Sequence, residues 1–84
     1  MKLCIEIHQD NAAFTDGGVN EETVRILSRL AEDIEDYESG VNERLADSLH
    51  YAEQHGVAKM REAGVPVSLF DVNGNKTGEA WQEQ

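Results

Sequence analysis

The stretch Val65-Pro66-Val67-Ser68-Leu69-Phe70-Asp71-Val72-Asn73-Gly74-Asn75-Lys76-Thr77-Gly78-Glu79-Ala80-Trp81 decides the fold. Val65, Val67 and Leu69 alternate with their neighbours, the period of a strand buried on one side. Pro66 lacks an N–H and confines that strand to an edge or to its first positions. Asn73-Gly74 is a strong hairpin signal, because both residues accept the positive φ of a type I′ turn. A two-residue loop there sets a register. Val72 faces Asn75, Phe70 faces Thr77, Leu69 faces Gly78, Ser68 faces Glu79, Val67 faces Ala80 and Pro66 faces Trp81. The hairpin is expected over residues 65–82.

A third strand is expected over residues 1–9, where Leu3, Ile5 and Ile7 alternate with Cys4, Glu6 and His8. Asp10 to Gly18 reads as a connecting loop anchored in the core by Phe14. A helix is expected over 21–39, capped by Asn20, with Glu21 and Glu22 in its first turn. Its apolar stripe is Val24, Leu27, Leu30, Ala31, Ile34 and Tyr37. A second helix is expected over 42–55, from an Asn42 cap to a Gly56 stop, with Leu45, Ala46, Leu49 and Ala52 on its apolar face. A short turn follows at 57–63. The expectation is one domain, residues 1–84, of class α+β: a two-layer fold with a three-stranded antiparallel-type sheet and two main helices on one face. In this arrangement Pro66, Phe70 and Trp81 share the side of the sheet away from the helices with Cys4 and His8. That side is expected to be open and partly apolar, so Phe70 and Trp81 form a possible second interface, as for a homodimer.

The charge is the other informative feature. Seventeen Asp and Glu stand against seven Lys and Arg, a net charge of −10. The densest run is Glu32-Asp33-Ile34-Glu35-Asp36-Tyr37-Glu38, at the end of the expected first helix, where the helix dipole favours cations. A local rule broken in this way marks a candidate surface. Glu32, Asp33, Glu35, Asp36 and Glu38, with Asp47 on the second helix, are the candidate partner-binding residues. Direct nucleic-acid binding is not expected, since phosphate contacts need Lys and Arg. A basic protein partner is favoured by steering. The alternating N-terminus does not read as a signal peptide, no apolar run spans a membrane, and a single cysteine fits a reducing cytoplasm.

No constellation for catalysis is present, and the expectation is a protein that is not an enzyme and carries no cofactor. His50 and His55 are five apart, on different helix faces, so no metal pair is expected. Asp71-Val72-Asn73-Gly74-Asn75 has the D-x-N-x-N start of a calcium loop, but Lys76 stands where glycine is needed and Gln82 where a bidentate glutamate is needed. Cys4 and His8 share a strand face about 13 Å apart, too far for a nucleophile and its base.

Ile5-Glu6-Ile7-His8-Gln9-Asp10-Asn11-Ala12-Ala13-Phe14, then Val24-Arg25-Ile26-Leu27 and Leu30-Ala31, then Asp71-Val72-Asn73-Gly74-Asn75-Lys76-Thr77-Gly78, resembles a family of small acidic proteins encoded in phages and prophages. The shared pattern is a strand ending in D-N-A-A-F, an amphipathic helix, and a closing D-x-N-G-N-x-x-G hairpin. The segment from Val41 to Val65 has no counterpart in the short members. In size and charge the chain also resembles anti-CRISPR proteins. The resemblance implies an inhibitor acting in the bacterial host cytoplasm on a protein or complex with a basic nucleic-acid-binding surface. Its carboxylates would then stand in for phosphates.

Overall fold

The computed structural model describes residues 1–84. Its elements are β1 (Lys2–Ile7), α1 (Ala12–Gly17), α2 (Val19–Glu35), a 3-10 turn (Tyr37–Ser39), α3 (Val41–His55), α4 (Val57–Glu62), β2 (Val67–Phe70) and β3 (Lys76–Glu83). The sheet is antiparallel in the order β1-β3-β2. The class is α+β, as the alternation and the hairpin imply. No helix is long and apolar enough to cross a membrane.

The hairpin reaches the expected register by a different route. Asn73 keeps a negative φ and only Gly74 is left-handed, at 83°. The Gly74 N–H donates to the Asp71 carbonyl at 3.0 Å and the Asp71 N–H to the Asn75 carbonyl at 2.9 Å, closing a three-residue loop. Asp71 Oδ1 accepts from the N–H groups of Asn73 and Asn75, both at 2.9 Å, and this side-chain turn displaces the type I′ geometry. Phe70 therefore pairs with Lys76, not Thr77. A break between Leu69 and Phe70 takes up the extra residue, and Leu69, Ser68 and Val67 face Gly78, Glu79 and Ala80.

The core joins Phe14, Ile26, Leu30, Val41, Leu45, Val67, Leu69 and Ala80. Phe14 is fully buried, but it sits on the short helix α1, not in a loop. The other helix ends move too. Gly18, at φ 92°, replaces Asn20 as the cap of α2, and Gly40, at φ 80°, replaces Asn42 as the cap of α3. The 21–39 helix breaks at Asp36, whose ψ of 101° is extended. The buried line of α2 is Glu22, Ile26 and Leu30, while Val24, Leu27, Ala31 and Tyr37 are exposed. The reason is Glu22. It is only 5 % exposed, yet it pairs with Arg25 Nε and accepts from the Val72 N–H at 3.4 Å, so its charge is carried into the contact. On α3 the buried residues are Val41, Leu45 and Ser48; Ala46 is exposed.

Two close contacts fix the central strand. A Cβ on Gly78 would overlap the Glu6 carbonyl oxygen and lie 3.0 Å from Ile7 Cα, so only glycine lets β1 approach here. At the other end, β2 stops beside Pro66 and leaves the Gln82 N–H of β3 without a strand partner. The fully buried Ser48 Oγ accepts it at 3.0 Å and donates to the Leu45 carbonyl at 2.7 Å. Gly78→Ala should lower stability by about 2–3 kcal/mol, because backbone must move to admit the methyl. Ser48→Ala should cost about 1–2 kcal/mol through the orphaned N–H. Urea unfolding followed by circular dichroism measures both.

Candidate functional site

The acidic run occupies the corner between α2 and α3. The corner is built from the polar residues that follow α2. The Asp36 N–H donates to the Glu32 carbonyl at 3.0 Å and closes the helix. Asp36 Oδ1 then accepts the Glu38 N–H at 3.0 Å and starts the 3-10 turn. Ser39 Oγ lies 2.7 Å from the Asp33 carbonyl and 2.8 Å from that of Asp36. Asn42 Nδ2 donates to the Ile34 carbonyl at 2.7 Å. Open carbonyls at the end of α2 are thus met by side chains, and the corner is held from both sides.

This architecture sorts the candidate residues. Glu32, Glu35 and Glu38 are exposed, and no ion pair engages them. Asp33 is partly covered and pairs with Arg29 at 3.3 Å. Asp36 is exposed but also serves as the cap. Tyr37, at 87 % exposure, projects among them. No basic residue stands in the last turn of α2. Asp47 is exposed on α3, about 9 Å along the axis from Val41, separate from the run. Of the acidic run only Asp33 lines a surface groove, beside Arg29, Leu30 and Val41; Glu32, Glu35, Asp36 and Glu38 stand outside any cavity. The corner can supply hydrogen-bond acceptors and negative charge to a basic surface.

The second candidate surface is corrected by the structure. Trp81 is 7 % exposed, not open. Arg61, reaching from α4, lies with its Cζ 5.0 Å from the Trp81 ring centroid. The same guanidinium bonds Glu6 Oε1 at 2.6 Å and Glu79 Oε1 at 3.4 Å. Trp81 Nε1 donates to Glu83 Oε2 at 3.0 Å, and Lys2 Nζ is 3.2 Å from Glu83 Oε1. His8 Nε2 lies 3.2 Å from Glu6 Oε1, and Lys76 Nζ lies 3.9 Å from Glu79 Oε2. The side away from α2 and α3 is therefore a network of alternating charge lying over one tryptophan. Phe70 is half-exposed at the β2 edge and stands apart from it. No group of His, Cys, Asp and Glu is assembled that could hold a metal ion. His50 contacts Gln54, and His55 packs on Tyr51 with ring centroids 4.5 Å apart.

Sequence reasoning missed Arg61 as the cover of Trp81. The available signal was the segment 57–64, where Lys59 and Arg61 outnumber Glu62 in an otherwise acidic chain. The network also makes stability depend on pH. The hydrogen bond from Arg61 holds Glu6 below its ordinary value of 4.5. Hydrogen bonds from Trp81 and then Lys2 hold Glu83 below the same value. A carboxylate lowered in the folded state contributes stability in full above 4.5, lost as pH falls through the depressed value. Glu6→Gln should be less stable than the natural chain at neutral pH, and the gap should close below 4.5. Thermal unfolding across an acid pH series reads this. Comparison with protein families, with curated proteins and with solved structures finds no match to this chain.

Proposed function

We propose that the protein is a non-enzymatic, phage-type inhibitor that binds a basic nucleic-acid-binding surface of a host defence complex. One observation carries the reading: Glu32, Glu35 and Glu38 are exposed around Tyr37 on a corner whose backbone is already satisfied. Carboxylates on a held scaffold lose little freedom on binding and can accept charge-assisted hydrogen bonds from Lys and Arg. Asp33 and Asp36 add charge while serving Arg29 and the cap, and Asp47 extends the negative field along α3. The exposed tyrosine adds a ring on which a guanidinium can stack. Net charge of −10 steers the chain toward a basic target and away from nucleic acid. The resemblance to small acidic phage proteins and to anti-CRISPR proteins points to the same class.

The test is capture of partners from a nuclease-treated bacterial lysate on the immobilised chain, at low and at high salt. A nucleic-acid-binding complex should be retained at low salt, released at high salt, and displaced by competing DNA. The triple variant Glu32→Lys, Glu35→Lys and Glu38→Lys should weaken retention by more than about tenfold while leaving the circular dichroism spectrum unchanged. Undiminished retention by the folded triple variant would falsify the proposal.

A further inference from the structure

The two edges of the sheet are treated differently. The β2 edge is closed. It is four residues long, follows Pro66 and carries the register break at Phe70. Arg25 Nη2 donates to the Phe70 carbonyl at 3.0 Å, and Arg44 Nη2 to the Pro66 carbonyl at 3.0 Å. These are recognised means of blocking strand addition. The β1 edge has none of them. It is six residues long with no proline and no register break, and no element other than β3 packs extensively on it.

The direction of its backbone groups follows from one bond. The His8 N–H donates to the Thr77 carbonyl at 2.7 Å, so His8 points toward β3. Alternation then turns the N–H and C=O of Glu6 and Cys4 toward β3 and those of Leu3, Ile5 and Ile7 outward. Leu3 and Ile5 are also apolar side chains left open. They pair with Gln82 and Ala80 and so lie on the side of α2 and α3, but they are 45 % and 41 % exposed. Leu27, also exposed, lies one turn along from Thr23, on the flank of α2 reached by Gln9 from the end of β1.

We propose that β1 pairs with β1 of a second copy, antiparallel, to give a continuous six-stranded sheet with Cys4 opposite Cys4 across the two-fold axis. The argument for this occupant is self-complementarity. In this register Lys2 of each copy stands opposite Glu6 of the other, joining two alternating charge networks end to end. Leu3 of each copy exchanges backbone hydrogen bonds with Ile5 of the other. Leu3 and Ile5 of each copy then cover Ile5 and Leu3 of the other on the side of α2 and α3. Moving the register by one step toward the C-terminus sets Lys2 opposite His8 and Cys4 opposite Glu6; moving it the other way sets Lys2 opposite Cys4. Neither pairs opposite charges. The acidic corner stays free in this dimer, so the inference stands apart from the proposed function.

Cys4 reports the register. Its backbone points at β3, so the Cys4 pair is a non-hydrogen-bonded one, with Cα atoms about 4.5 Å apart and within disulfide reach. Sedimentation equilibrium at physiological salt should show a dimer at about 0.1–1 mM protein. Diamide should convert it to a covalent dimer, two thiols giving two protons and two electrons to the reagent, and Cys4→Ser should dimerise without this crosslink. Ile5→Lys should be monomeric with an unchanged circular dichroism spectrum. Ile5→Pro should be monomeric too, since its lost N–H points outward. A monomer at the highest concentration would leave the edge to a strand of another protein and overturn the proposal. A dimer that persists in folded Ile5→Lys, or one that diamide does not crosslink through Cys4, overturns it as well.

Discussion

The contact between Gly78 and the backbone of Glu6 and Ile7 is the constraint on which the rest of the structure depends. β1 is joined to the other strands only through β3, and it reaches β3 at a spacing that leaves no room for a side chain on Gly78. That approach puts Glu6 directly opposite Glu79. Two carboxylates facing each other on one sheet surface repel, and the fold needs a cation between them. Arg61 fills that place. Its delocalised guanidinium bonds both glutamates and lies over the Trp81 ring, which a point-like ammonium could not do equally well. The position of α4 is thereby tied to the pairing of the first and last strands.

The chain uses its few cations sparingly. Arg25 answers Glu22 and the Phe70 carbonyl, Arg29 answers Asp33, Arg44 covers the approach to β2, and Arg61 covers the second sheet surface. Each arginine is engaged in the architecture. At the end of α2 no cation answers Glu32, Glu35 and Glu38, which stay exposed without an ion pair. These carboxylates stand on a corner whose backbone is held by Asp36, Ser39 and Asn42.

Much of this was legible because local chemistry and tertiary structure agree. The alternation in Leu3–Ile7 and Val67–Leu69 gave the strands, Gly40 and Gly56 mark helix boundaries at positive φ, and Pro66 forecast the edge. The hairpin register came out right over Val67–Leu69 although the turn did not. Asp71 captures two backbone N–H groups and adds a residue to the loop, and the break after Leu69 removes the shift again. The face of α2 was misread because Val24 and Leu27 outrank Glu22 in hydrophobicity. Burial of Glu22 depends on Arg25 and on the Val72 N–H, fifty residues away in the chain.

By itself the sequence determined the α+β class, the three strands, the core anchor Phe14 and the acidic run, since these rest on period, turn chemistry and charge within a few residues. The tertiary structure alone decided that Glu22 joins Leu30 on the buried line of α2 and Ser48 joins Leu45 on that of α3, that Trp81 is covered by Arg61, and that β1 and not β2 keeps an open edge. Those outcomes depend on pairs of polar groups brought together from distant positions, whose energies cancel or reverse the local preference of each residue taken alone.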